Sequence, residues 1–597
     1  MADLTAMFRS LREVPSSPAD AARIARDILT DKNTLKPVKA HVLRTSTLEP
    51  LADFLVVEAA MQSLRAELSF GGYEPLAMQA RNAAGEWAKA DVVILAPELS
   101  DLDSAAAADP LCDAAWPKRA SDALVALAQS VRKAAKGRLI VLLPAMLESA
   151  RDGYGDLAQD GRTGERFAEL RTTAWNQLTE NVADCLVFDS EQLVREEGLR
   201  ALLDHRMWQG FRVPYSTTGM RALGMHLGRL IGVATLPRRK CLVLDCDNTL
   251  WGGVIGEVGK EHIELAPEGK GAGYYALQRD ALALARRGVL LALLSKNQEA
   301  VVLDALAGHP HVLLRPELIA AHSISFDVTK AQGMRAIAKQ LNIGLDSLVF
   351  VDDSATECEL IRQLVPEVCV YQTPAAPHHL PGFLLTLREF DVARTLKEDH
   401  ARAAEYQRRK ERQRAAPVSG ENLDDYLRSL EIKVKIVTAR DATLERVVQM
   451  EGKTNQFNTT TRRLSRADLD RIIQSGGEVF AVNVADRFGD YGVTVACAVE
   501  MDKRDRRASV TSFLMSCRII GLGAELALLS HVGAWAKQRG ATTLSGYVKP
   551  SDKNQPARDL YQRAGFAESK AQDGSLGSRW DYDLERSVPE TPKWIHA

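Results

Sequence analysis

The sequence predicts an α/β protein carrying more than one sheet. Three observations lead there. Short apolar runs of strand length, such as DVVILAP, RLIVLLP and CLVLD, alternate with longer segments of helical length. The chain has 597 residues, too many for one core when a domain takes ~150. Its composition also breaks at the charged run 397–414, KEDHARAAEYQRRKERQR.

Taken in order, residues 1–36 read as a helical leader. Segment 38–43 reads as a strand, 44–47 as a polar turn, and 51–68 as a helix on its length and apolar content. Strands follow at 91–97 and 138–144, with a helix at 120–135 between them. A further strand is expected at 183–189 and a closing helix at 221–231. Pro237 and the basic triplet 238–240 mark a boundary. The second unit starts with the strand Cys241–Leu244. A helix is expected at 274–287, ended by Gly288 at the C′ position, then a strand at 289–294, a helix at 331–341 and a strand at 348–351. The charged run has almost no aromatic residues, so it reads as a solvated linker helix rather than a nucleic-acid surface. The third unit has strands at 432–437, 478–484, 492–500 and 508–515, then a helix at 523–539 ended by Gly540. The expected division is 1–36, 37–236, 237–395, 396–428 and 429–590. No internal repeat is visible.

Charge and composition exclude several classes. Lys+Arg number 76 and Asp+Glu 78, a formal net charge of −2, which gives no global case for binding nucleic acid or a membrane surface. The 46% hydrophobic and 26% charged fractions are those of globular proteins rather than disordered ones. No apolar run approaches the ~20 residues that span a bilayer, and the first residues lack a signal-peptide core. None of the 8 Cys has zinc-like spacing, so free thiols and a reducing, cytoplasmic setting are expected.

The chemistry is concentrated in CLVLDCDNTLWGGVIGE, residues 241–257. A buried strand runs into Asp245 and Asp247, whose i, i+2 spacing puts both on one side of an extended chain. At the C-terminal edge of a parallel sheet, two such carboxylates can hold Mg²⁺ and present an oxygen nucleophile to phosphorus. Ser295, in LLSKN, follows a second buried strand and can bond a phosphate oxygen. Lys330, in FDVTKAQ, opens a helix and can neutralise nucleophile and phosphate. Asp352 and Asp353, in LVFVDDS, end a third strand and can complete a metal site. In this order and at these positions, the four parts resemble the haloacid dehalogenase phosphotransferase superfamily. The resemblance implies that Asp245 is the nucleophile, Asp247 the general acid/base and Thr249 a positioning residue. It makes Asp353 the direct Mg²⁺ ligand, with Asp352 behind it. Ser295 stands 50 residues beyond Asp245, an interval that one helix and one strand largely fill. No sizeable cap fits there, and an open site suits a tethered or macromolecular substrate.

DCDNTLWGGVIGE is more specific still. With Ser295, Lys296 and Asn297 (SKN), VDDS, KTNQFN (453–458), RFGDYG (487–492) and FLMSCRIIGLGAE (513–525), it resembles the FkbH-like proteins. That resemblance implies a glyceryltransferase of polyketide assembly, which takes 1,3-bisphosphoglycerate or a related three-carbon acyl phosphate. It loads the dephosphorylated acyl unit as a thioester onto an acyl carrier protein. Cys246, between the two aspartates, has two readings: a thiol that carries the glyceryl group, or a small buried residue.

In the third unit Arg518, Gly521 and Gly523 form RxxGxG between a strand and a helix, a pattern that cradles a pyrophosphate. With Asn554 and Tyr561, in NQPARDLYQRAGF, it resembles the GCN5-related N-acetyltransferase fold, in which a pantetheine arm lies in a split between strands. The implied ligand is the phosphopantetheine arm of a carrier or CoA, with Asn455, Asn458 and Arg462 as lining candidates; segment 453–458 reads equally as a structural turn. Cys517 is read as a packed small residue. The first unit fits a flavodoxin-like or SGNH-hydrolase-like parallel sheet. Ser46 is the nearest nucleophile candidate, but the Gly-Asp-Ser pattern is missing and Asp204-His205 lacks the partner spacing. A noncatalytic docking role is expected, with His205 and His226 as ordinary histidines. The competing function is a phosphatase of a small metabolite coupled to acetyl transfer from CoA.

Overall fold

The computed structural model describes residues 14–31, 34–82, 85–147, 162–392, 427–454, 457–487, 489–516, 519–551, 554–573 and 577–596. The charged run 397–414, and with it Asn455, Cys517 and Arg518, lies outside them. The chain divides into two compact units, Met1–Leu236 and Pro237–Ala597.

The first unit holds a five-stranded parallel sheet. Its strands are β1 (Lys36–Arg44), β2 (Leu64–Phe70), β3 (Val92–Ala96), β4 (Arg138–Leu143) and β5 (Cys185–Asp189). They lie in the order β2-β1-β3-β4-β5, the flavodoxin-like arrangement expected from the sequence. The expected helix 51–68 is shorter. It ends at Ala60, and Leu64–Phe70 becomes the edge strand β2. Ser63, with φ of 62°, turns the chain between them without a glycine or proline to announce it. The helix Thr163–Asn181 was likewise not expected. Both faces of the sheet are buried under helices, which is why its strands read as continuous apolar runs.

The second unit opens with another parallel sheet: β6 (Cys241–Leu244), β7 (Leu290–Ser295), β8 (Ile319–Ile324), β9 (Leu348–Asp352) and β10 (Cys369–Gln372). The order is β10-β9-β6-β7-β8, a Rossmann-type arrangement with β6 at its centre. Edge strands β8 and β10 escape the sequence reading because their faces carry His, Ser, Tyr and Gln. Between β6 and β7 the only helices among the described residues are the single turn Ile255–Val258, the 3₁₀ turn Gly269–Gly271 and Ala272–Arg286. Between β8 and β9 lies the helix Lys330–Leu341 with one 3₁₀ turn. Neither connection holds a cap domain.

An eight-stranded mixed sheet follows: β11 (Ile432–Thr438), β12 (Glu478–Asp486), β13 (Gly489–Asp502), β14 (Arg507–Met515), β15 (Thr543–Val548), β16 (Ala567–Asp573), β17 (Gly577–Asp583) and β18 (Ile595–His596). The parallel pair β14–β15 is joined only from Arg507–Thr543 to Val510–Gly546. Beyond that the two strands part, the split that the acetyltransferase-like pattern implied. Among the described residues no helix is long and apolar enough to cross a membrane.

Candidate active site

Four strand and helix ends meet at one edge of the second sheet. Asp245 follows β6 directly, and its N–H donates to the Val351 carbonyl of β9 at 3.0 Å. Ser295 is the last residue of β7 and Asp352 the last of β9. The strand order reverses between β6 and β9, so Asp245 and Asp352 flank the crevice where such sheets bind ligands.

Lys330 reaches this crevice from the first position of the helix Lys330–Leu341. Thr329 and Gln332 form the capping box that starts that helix. Close packing is possible because residue 333 is glycine: a Cβ there would stand 2.5 Å from Leu294 and 2.7 Å from the Ser323 hydroxyl. A lysine in a first helical turn opposes the helix dipole, a cost of about 0.3–1 kcal/mol, and this one is only 6% exposed. Two carboxylates offset that cost. Its Nζ lies 3.0 Å from Asp245 Oδ1 and forms a second ion pair with Asp352 Oδ2. Burial by itself would lower the Lys330 pKa, but the two neighbouring carboxylates outweigh it and keep the ammonium charged.

Asp245, Asp352 and Asp353 bring carboxylate oxygens within 4.8 Å of one another. Burial pushes the Asp245 carboxyl up to about 7, with Lys330 pulling it down and Asp352 pushing it up. Burial also raises Asp353, and Asp352 adds to the effect. Three acids face one ammonium, so the cluster carries an excess of negative charge in a poorly hydrated place. Hard oxygen donors in this number fit Mg²⁺. Asp352 accepts the Ser354 N–H at 2.8 Å on Oδ1 and pairs with Lys330 through Oδ2.

Asp247, expected among the metal ligands, stands outside the three-acid cluster. Its oxygens are already occupied: Oδ1 accepts from Trp251 Nε1 at 3.0 Å and from the Ile255 N–H at 3.1 Å, and Oδ2 accepts from Asn297 Nδ2 at 2.9 Å. Three donors fix the orientation of the carboxylate. Asn248, left-handed at φ 52°, starts the turn that swings Trp251 back under it, and its Oδ1 accepts the Gly253 N–H at 2.9 Å. Sequence reasoning missed Trp251. The indole four residues after Asp247 in DNTLW was the available signal, but only the turn makes it a partner. Asn297 Nδ2 also lies 3.2 Å from Ser295 Oγ, so the expected serine, asparagine and second aspartate form one chain of contacts.

Three expected site residues are placed otherwise. Cys246 is wholly buried in the core beside Leu244 and Leu250. Burial first, then Asp245, hold its thiol protonated far above the usual range, while a contact with the Ser295 side chain pulls the other way. Its burial fits the reading as a small packed residue. Thr249 is also fully buried, and its hydroxyl has no hydrogen-bond partner. It shapes the loop through its N–H, which donates to the Cys246 carbonyl at 3.2 Å, rather than holding Asp247. Lys296 turns outward and pairs with Glu357 at 2.6 Å.

In the third sheet the split between β14 and β15 is bridged by the chain itself. Thr459 donates to the Phe513 carbonyl at 3.2 Å, Met515 to the Phe457 carbonyl at 3.0 Å, and Lys549 to the Thr459 carbonyl at 2.8 Å. Asn458 and Asn554, expected to line a ligand, are 3% and 0% exposed and spend their amides on this bridge. Asn458 holds Thr460, Thr461 and Arg462, while Asn554 Nδ2 holds the Asn458 and Lys549 carbonyls at 2.9 Å each. These bonds commit the Asn458 amide to the turn over residues 458–462. Tyr561 is fully buried with its ring against Gly546, where a Cβ would come within 2.1 Å. Arg462 is exposed. Gly521 and Gly523 are left-handed, at φ 91° and 87°, and Gly523 caps the helix Ala524–Gln538; glycine is what that entry requires.

Beside the bridge lies Glu451, 2% exposed. Its Oε1 accepts from Ser512 Oγ at 2.6 Å and its Oε2 from the Leu464 N–H at 3.2 Å. Burial pushes this carboxyl from 4.5 up to about 7 against the pull of those bonds. Between those two values the folded chain keeps a proton that the unfolded chain has lost. Stability therefore falls as pH rises through that window, by about 3 kcal/mol in all. Glu451→Gln, neutral throughout, is expected to gain melting temperature on the wild type between about pH 4.5 and 7 and to hold that gain above it. Calorimetry of both proteins across that range checks this, and parallel curves would contradict it.

No family model and no curated protein sequence matches the chain. Among solved structures, it is similar to the N-terminal part of the protein BF1531 from Bacteroides fragilis, which contains a phosphatase domain complexed with Mg. Identity is 23% over 63% of this chain and 99% of that one, with a TM-score of 0.55. That match shows a shared fold over this part of the chain. Shorter matches cover about a quarter of the chain. They include the ribosomal-protein-S18-alanine N-acetyltransferase from Escherichia coli, at 15% identity over 26% of this chain and 96% of that one, TM-score 0.20. Another is an acetyltransferase of the GNAT family from Staphylococcus aureus Mu50, at 14% over 25% and 99%, TM-score 0.20.

Proposed function

We propose that the protein is a Mg²⁺-dependent phosphohydrolase that removes phosphate from 1,3-bisphosphoglycerate, or a related three-carbon acyl phosphate, and delivers the acyl unit to an acyl carrier protein. The observation that carries this reading is the meeting of Asp245, Lys330, Asp352 and Asp353 at the reversal point of an uncapped parallel sheet. Asp245 attacks the ester phosphorus and takes the phosphoryl group as an aspartyl-phosphate. Asp247 serves the leaving oxygen and then deprotonates the water that hydrolyses this intermediate, held in aim by Trp251, Ile255 and Asn297. Lys330 and the Ser295 hydroxyl bind the phosphoryl oxygens. Mg²⁺, which Asp245, Asp352 and Asp353 would hold, neutralises charge on the phosphoryl group when bound. The open edge leaves room for a tethered acceptor. The thioester forms separately: the sulfur of the phosphopantetheine arm attacks the acyl carbon, a C–S bond replaces the C–O bond to phosphate, and phosphate leaves.

Mass spectrometry of a carrier protein incubated with the full chain, Mg²⁺ and bisphosphoglycerate tests the reading. A glyceryl thioester is expected, and Cys246→Ala is expected to keep loading while losing about 1–3 kcal/mol of stability. An unmodified carrier, with donor and carrier both active, would overturn it. Phosphate release independent of carrier, with consumption of acetyl-CoA, would favour a small-metabolite phosphatase coupled to acetyl transfer.

A further inference from the structure

The first unit contains a cavity of about 330 Å³, within the size range of small-molecule sites. Its position follows from the strand order. The sheet order reverses between β1 and β3, and the cavity is lined at that edge by Leu48 after β1, Glu98 after β3, Leu142 of β4 and Ser190 after β5. This is the crevice at the carboxyl ends of the strands where doubly wound sheets take ligands.

The lining has two parts. Leu142, Phe167 and Leu223 contribute to an apolar wall. Glu98, Ser190, Arg212 and Tyr215 contribute the lining's polar groups. Ser190 is 3% and Tyr215 9% exposed, and among the described residues neither hydroxyl has a hydrogen-bond partner. Neither hydroxyl oxygen is sealed off, so both are open to the cavity and free to bond a guest there. Arg212 stands at the end of the helix His205–Phe211 in a left-handed turn, φ 57°. Its guanidinium lies 4.8 Å from the Trp208 ring centroid. The turn is fixed by Thr47, whose N–H donates to the Arg212 carbonyl at 2.8 Å. Burial raises the Glu98 carboxyl, with the Ser46 hydroxyl and Arg212 pulling it back. The Glu98 carboxyl and the Arg212 guanidinium both line the cavity. Together with two hydroxyls they offer both donors and acceptors.

We infer that this cavity is a binding site for an uncharged acyl amide, its amide held by Ser190, Tyr215, Glu98 and Arg212 and its hydrocarbon laid on the apolar wall. An amide supplies both a donor and an acceptor, matching a lining that offers both. The site lies in a different unit from Asp245 and does not depend on the phosphohydrolase reading.

Titration calorimetry of the full chain with octanamide, octanoate and octylamine tests it. Octanamide is expected to bind saturably, at least tenfold more tightly than either charged analogue. The double substitution Ser190→Ala, Tyr215→Phe, checked for folding by circular dichroism, is expected to weaken octanamide at least tenfold and leave phosphate release unchanged. No saturable octanamide binding, preference for a charged analogue, or unaltered affinity in the folded double variant would each overturn the assignment.

Discussion

Asp245→Asn is expected to lower Mg²⁺-dependent phosphate release by at least about a thousandfold while leaving the fold intact or slightly firmer. The two effects have one cause. The amide has nearly the shape of the carboxylate but no nucleophilic oxygen, so no aspartyl-phosphate forms. At the same time it removes one of three acids crowded around a single ammonium. Asp245, raised to about 7 by burial and by Asp352, is costly to keep ionised, and Lys330 keeps its pairing with Asp352. A phosphate-release assay beside a melting curve separates chemistry from stability. Residual turnover above a tenth of the wild type would remove Asp245 as the nucleophile.

Lys330→Met is expected to damage both. The methionine follows the lysine stem into a site that is 6% exposed, but it strands Asp245 and Asp352, 5% and 0% exposed, without their cation. Breaking a buried pair in this way costs about 3–5 kcal/mol. Loss of the positive charge facing the phosphoryl oxygens is expected to lower turnover at least about a hundredfold. Mg²⁺ is expected to raise the melting temperature of this variant more than that of the wild type, because the ion becomes the remaining source of positive charge among three acids. Denaturation with and without Mg²⁺ measures both effects. Wild-type stability in the variant would mean that the ion pairs contribute nothing to the fold.

Much of the site was legible in the chain because its parts are local. A buried strand ending in DCD announces carboxylates at a sheet edge. VTKAQ contains a capping box, so Lys330 at a helix start could be read directly. Alternation turns Cys246 away from Asp245, and the residue is buried in the core; the sequence left the thiol reading open. The helix expected at 51–68 failed because nothing in MQS signals the left-handed turn at Ser63. The lining expected from Asn458 and Asn554 failed because an amide on a buried turn is read from sequence as free to bind. Only its backbone partners, one of them contributed by residue 458 to residue 554, show it to be spent.

What the amino-acid order determined alone is the identity of the reactive groups and the strand or helix end that presents each. What tertiary structure decided is their partnership. Asp247 is oriented by Trp251 and Asn297 rather than joining the metal cluster, Lys330 is shared by Asp245 and Asp352, and two hydroxyls share a cavity wall in the first unit. Hydrogen bonds and ion pairs act over about 3–4 Å, a distance that pairs residues from different strands. Neither periodicity nor spacing along the chain encodes it.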